Sequence, residues 1–110
     1  GVTMPHTQVP ITKATTAILC PTQEETCIPD ESNCISCGRC VRACPMGLLP
    51  LYLDKFGRRN DINRFQKLNG ISCIECGCCA YVCPAHLRIV NTIRKTKKQI
   101  RDKINAKRVI

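Results

Sequence analysis

The chain has 110 residues, with 17 Lys and Arg against 8 Asp and Glu and a formal net charge of +9. Aromatic residues make up 4% and Trp is absent, so the available core is thin; small chains of this kind depend on disulfides, metals or partners to hold them. The longest apolar runs, such as Gly47 to Leu53, fall far short of the roughly 18 residues that span a bilayer, and no stretch reads as a secretory signal. Eleven cysteines are the obvious staple, but nothing points to an oxidising compartment, and an odd count fits poorly with complete internal pairing. The opening Gly1 reads as a processed end or as a cut from a longer chain.

Residues 1 to about 20 are rich in Thr, Val, Ile and Pro and nearly free of charge, which predicts extended, irregular or β structure. Residues 21 to 33, "PTQEETCIPDESN", are polar, acidic and broken by two prolines, and are expected to form a linker or irregular loop. Next comes "CISCGRCVRACP", Cys34 to Pro45. Its cysteines stand at spacing C-x2-C-x2-C-x3-C-P, and the same figure returns thirty-nine positions on as "CIECGCCAYVCP", Cys73 to Pro84.

The stretch between the boxes predicts two helices. In "GLLPLYLDKF", Pro50 suits a first helical turn, and Gly57 is expected to stop the helix. In "NDINRFQKLNG", Asp61 is a candidate N-cap; Ile62, Phe65 and Leu68 share one face; Asn69-Gly70 supply a C-cap. After Pro84, Leu87, Val90, Ile93, Ile100 and Ile104 keep near-helical spacing. The expected fold is therefore mainly α. A two-cluster, α-helical ferredoxin-like domain (residues 31–92) follows an extended, irregular or β N-terminal segment and linker (1–30) and precedes a basic C-terminal helix (93–110).

The boxes carry the chemistry. Three cysteines spaced by two let one loop coil around a compact inorganic core and offer three thiolates. The full run is the bacterial ferredoxin spacing, in which the fourth cysteine serves the other cluster. The expected ligands are Cys34, Cys37, Cys40 and Cys83 for cluster one, and Cys73, Cys76, Cys79 and Cys44 for cluster two, each a [4Fe–4S] centre. Gly38 and Gly77 inside the loops allow backbone angles that a Cβ would oppose, and Pro45 and Pro84 turn the chain away. Zinc is the alternative, since it also takes four thiolates, but it is typically held by paired C-x2-C units rather than this run. Cys20, Cys27 and Cys78 fall outside the pattern and read as incidental thiols, and the lone His6 and His86 read as non-ligands.

From residue 73 to 110 there are nine Lys and Arg against two acids, concentrated in "RKTKKQIRDKINAKR". A solvated surface helix is the plain reading; docking to an acidic partner or an anionic membrane surface is the functional one. Nucleic-acid binding is not expected, because no aromatic residue interleaves the basic run. A zinc-stapled interaction or nucleic-acid-binding protein and a freely diffusing ferredoxin are the rival classes, and metal identity separates the first from an electron carrier.

"CISCGRCVRACPMGLLP", "CIECGCCAYVCPA" and the upstream "VPITKATTAIL" resemble the C-terminal part of the C subunit of the Rnf electron-transport complex, over roughly residues 1 to 95. The tract Met46-Gly47-Leu48-Leu49-Pro50 is the sharpest part of the likeness. The resemblance implies a peripheral subunit on the cytoplasmic, inner face of the cell membrane, in an ion-translocating complex that moves electrons between ferredoxin and NAD. It implies partnership with other subunits and with flavin, ferredoxin and NADH as redox partners. FMN and NADH would bind an upstream domain, and only the eight ligand cysteines carry over to this chain. No glycine-rich nucleotide loop is present, so the chain is expected to have no catalytic site of its own. A related cobalamin reductase of bacterial microcompartments has a similar pair of boxes and is the nearer alternative.

Overall fold

The computed structural model describes residues 4–108. Residues 1–3 of the expected N-terminal segment and 109–110 of the expected basic helix lie outside the described residues. Six α-helices follow in chain order: α1 (Gln23–Thr26), α2 (Arg39–Ala43), α3 (Pro50–Arg58), α4 (Ile62–Lys67), α5 (Cys78–Tyr81) and α6 (Ile89–Arg108), with a 3-10 turn at Gly70–Ser72 before α5. There is no strand among the described residues, so the β option for the N-terminal segment is corrected. The physical reason is pairing: a strand needs a partner ladder, and residues 4–21 lie almost wholly exposed with no second extended segment beside them.

The stretch read as an irregular linker contains one helical turn. Thr22 accepts from the Glu25 amide while the Glu25 carboxylate accepts from the Thr22 amide at 2.8 Å, a reciprocal cap that closes α1. In α3, Pro50 stands in the first turn as expected, but Gly57 does not stop the helix, which runs on to Arg58. Gly57 is inside α3 because α6 crosses there: a Cβ would stand 2.8 Å from both Thr92 Cγ2 and Thr96 Oγ1. Close passage, rather than termination, explains this glycine.

Helix α4 begins at Asp61, whose Oδ1 accepts from the Arg64 amide at 3.2 Å, and Asn69 takes the left-handed turn (φ 56°) beyond its end. Phe65 is fully buried, and Ile62 and Leu68 pack against the same core. Gly70 has no room for a Cβ, because the Phe65 ring lies over it.

The core is small, and both halves of the chain build it. Leu48 and Leu53 come from the first half, Phe65 from α4, and Ile89, Ile93 and Ile100 from α6. Cys79 joins this cluster, and Cys40, Cys44 and Cys73 pack against it. Fully burying such side chains contributes about 1.5–3 kcal/mol each. Helix α6 runs unbroken from Ile89 to Arg108; Ile89, Ile93, Thr96 and Ile100 are buried, and every residue from Arg101 to Arg108 is exposed. No helix among the described residues is long and apolar enough to cross a membrane.

Candidate metal centre

The two boxes repeat in backbone as well as in sequence. Ser36 and Glu75 both take the left-handed region, at φ 55° and 56°, as do Gly38 and Gly77, at 74° and 86°. Past each fourth cysteine, Gly47 (64°) and His86 (54°) make the same turn. The Ser36 amide donates to Cys34 Sγ, and the Glu75 amide to Cys73 Sγ, each at 3.4 Å. Gly38 and Gly77 then open α2 and α5, and thirty-nine positions also separate the starts of α3 and α6.

A cavity of about 470 Å³ is lined by Cys34, Cys37 and Cys40 of the first box and Cys83 of the second. A narrower gap of about 20 Å³ is lined by Cys73, Cys76 and Cys79 of the second box and Cys44 of the first. Each space therefore takes three cysteines from one box and the last cysteine of the other. Helices α2 and α5 pack against each other, and Cys44 and Cys83 follow their C-terminal ends, next to the opposite loops. Among the described residues, no three His, Cys, Asp or Glu side chains gather as closely as a single metal ion requires. The thiols stand around a space instead, and a four-thiolate set with soft donors suits an iron–sulfur core. The second gap is tighter although donors and turns repeat, and its Cys76 limb is exposed, so that loop has room to give on its solvent side.

The walls differ. The larger cavity carries Glu31, Asp54, Lys55 and Arg58, whereas the smaller one is lined by no charged side chain. Arg58 Nε donates to Asp54 at 2.9 Å, and its two terminal nitrogens donate to Glu31 at 3.0 and 3.3 Å. Glu31 also accepts from the Arg88 amide at 2.7 Å, which fastens the approach to the first box onto the start of α6. These bonds, chiefly that from Arg58, hold the Glu31 carboxyl below its ordinary range. Asp54 is buried, and its Oδ1 has no hydrogen-bond partner.

On the other side, Arg94 Nε donates to Glu75 Oε2 at 2.9 Å, and Lys97 Nζ donates to Glu75 Oε1 at 3.2 Å and to the Cys73 carbonyl at 2.8 Å. The Arg94 bond leads in drawing the Glu75 carboxyl down. Burial pushes the Cys79 thiol up to about 11 and raises Cys40 as well. Both groups would bind iron as thiolates, so the buried positions depend on the metal for their charge.

Cys20 and Cys27 are exposed and line neither space; Cys78 is exposed, beside Cys76 in the second loop. His6 and His86 are exposed and line neither space, and so are Arg39 and Arg42. Sequence reasoning missed Glu31, Asp54 and Arg58 on one side and Glu75, Arg94 and Lys97 on the other. A signal was available in the repeat: shifted by thirty-nine, Arg58 falls on Lys97 and Lys55 on Arg94.

A helical chain with paired four-cysteine sets, each completed across a pseudo-repeat, has the layout of a dicluster ferredoxin-like domain. Residues 33–87 match the 4Fe-4S dicluster domain family, and the chain belongs to it. It is 47% identical over 100 residues to the C subunit of the Na(+)-translocating ferredoxin:NAD(+) oxidoreductase complex of Acetobacterium woodii, covering 91% of this chain and 23% of that protein. It is 44% identical over 70 residues to the C subunit of the ion-translocating oxidoreductase complex of Vibrio cholerae, covering 63% of this chain and 9% of that protein. The protein of the same name from Yersinia pestis gives 44% over 70 residues, with 11% of its length covered. The chain thus spans less than a quarter of the length of each of these relatives.

Proposed function

We propose that the chain is an electron-transfer module holding two [4Fe–4S] clusters by crossed ligation. Cys34, Cys37, Cys40 and Cys83 hold one cluster, and Cys73, Cys76, Cys79 and Cys44 the other. The observation that carries the reading is the lining of the two spaces, each by three cysteines of one box and the fourth of the other. When bound, such clusters supply one-electron transfer, at potentials set by burial, hydrogen bonds to sulfur and nearby charge. The protein's part is to fix the thiolates, donate amides to Cys34 and Cys73, and keep water from the buried side through Leu48, Leu53 and Ile93.

The relatives belong to ion-translocating oxidoreductase complexes, one named for ferredoxin and NAD(+). On that likeness the chain works inside a larger redox complex, peripheral on the inner face of the membrane, between a flavin-bearing or NADH-oxidising partner and a further carrier. The flavin and nucleotide sites belong to the remainder of such a protein or to its neighbours in the complex. Iron, zinc and acid-labile sulfide per chain test the reading on anaerobically purified protein, together with EPR after dithionite reduction. About eight irons and eight sulfides with two interacting reduced centres are expected. About two zincs and no sulfide would sink it.

A further inference from the structure

We propose that Lys97, held by Glu75 and the Cys73 carbonyl, is a positioning residue that sets the reduction potential of the centre bound by Cys73, Cys76, Cys79 and Cys44. The proposal rests on the crossed-ligation reading and adds the group that tunes one of its sites.

Lys97 reaches the ligand loop from α6. Its Nζ donates to the carbonyl of Cys73 at 2.8 Å and to Glu75 Oε1 at 3.2 Å, and its side chain is only 11% exposed. Glu75 lies between two ligand cysteines, and its own amide donates to Cys73 Sγ at 3.4 Å. One residue therefore touches both the sulfur of the ligand and the cation. Its backbone sits at φ 56°, as Ser36 does at 55° in the first box, so the left-handed turn belongs to the cysteine loop and the bonds to Arg94 and Lys97 are what the second box adds. Arg94 closes the arrangement from one turn earlier on α6.

Charge bookkeeping gives the arrangement its consequence. Two cations meet one carboxylate, so one positive charge is left over against the loop that carries Cys73 and Cys76. An added electron makes a cluster more negative, and a shielded cation beside its ligand favours that state. The register-equivalent cation in the first half is Arg58, which meets two carboxylates, Glu31 and Asp54; with Lys55 on the same wall, the charges around the other space cancel. The repeat thus keeps the cation and leaves a surplus positive charge only beside the second box.

The test is an EPR-monitored potentiometric titration of the full chain carrying its clusters, with the two waves assigned by the Cys83→Ser variant. Lys97→Met is expected to disfavour reduction of the second-box centre about tenfold, which is about 59 mV for one electron. Glu75→Gln is expected to move it the opposite way, Lys97→Arg to leave it near the wild-type position, and the first-box centre to stay in place in all three. A merely structural tie would change cluster content without these opposed shifts, and equal midpoints in Glu75→Gln and wild type would overturn the proposal. If Lys97→Met fails to keep its cluster, the upward shift in Glu75→Gln still decides. Absence of any [4Fe–4S] signal from the wild-type chain would remove the proposed function itself, and this inference with it.

Discussion

Residues 34–58 and 73–97 follow one backbone plan thirty-nine positions apart, yet they surround their cysteines differently. The first half opens a wide cavity walled by Glu31, Asp54, Lys55 and Arg58; the second closes a narrow apolar gap, and Glu75, Arg94 and Lys97 stand outside its lining. Backbone turns, glycines and sulfur-directed amides are shared. What differs is side-chain charge and burial, the two quantities that act on a redox centre without altering how it is held. A repeated scaffold with unlike walls provides two similar sites with separate settings.

The crossing of the fourth cysteine is where this comparison breaks most sharply. Cys83→Ser is expected to remove the centre of the first box, although Cys83 lies in the second, and Cys44→Ser to remove the other. Each variant should lose about half of the iron, and the surviving EPR signal should be that of the box that was itself mutated. Loss of the local centre in place of the opposite one would reject crossed ligation.

The next largest effect concerns the core between the halves. Leu53 is fully buried in contact with both. Leu53→Ala should cost about 2–5 kcal/mol, read by denaturant unfolding of the holo-protein. Because the core is common, both centres should bleach in one transition; two separate transitions would show that the halves hold themselves independently.

A smaller effect, confined to the first half, comes from pH. The Glu31 carboxyl is held below its ordinary value of 4.5, chiefly by Arg58. Its stabilising contribution is therefore complete above about pH 4.5 and is lost as pH falls through the lowered value. Glu31→Gln should be less stable than wild type at pH 7, and the difference should shrink on acidification below that value. A constant difference across the range would show that the Glu31 bonds to Arg58 and to the Arg88 amide do not depend on charge. The smallest effect is expected at Arg42, in the first box but exposed. Arg42→Glu should lower one centre's potential only slightly, since water screens the charge, and an unmoved titration would remove Arg42 from the tuning set.

The parts of the fold legible in the sequence are those governed by local chemistry. Pro50 opening α3, Asp61 capping α4 and Asn69 turning left-handed are decided by residues within one turn of each other. The cysteine spacing marks out the groups of four that surround the two spaces; that they ligate clusters is a proposal. Gly57 reads as a helix stop because its reason lies in α6, thirty-five residues away at Thr92, where no local rule reaches. The turn at Gln23–Thr26 has a legible cap in Thr22 and Glu25, but the flanking prolines outweigh it. Glu31, Glu75 and Lys97 escape notice for a related cause: their side-chain bonds reach 19 or more residues along the chain, and a charged residue carries no local sign of so distant a partner.

Because each space borrows its last cysteine from the opposite box, neither half of the chain is a unit that can be separated. A half-length chain would bring three thiols to its own loop and carry the fourth where it serves only a neighbour. Two such halves, paired head to head, would complete one another, but only at concentrations where they meet. Joining them in one chain replaces that encounter by a permanently high effective concentration. The 28 residues from Pro45 to Ser72 therefore act as a tether as well as a source of core: they turn a dilution-sensitive pair into a single molecule that keeps both sites at any concentration.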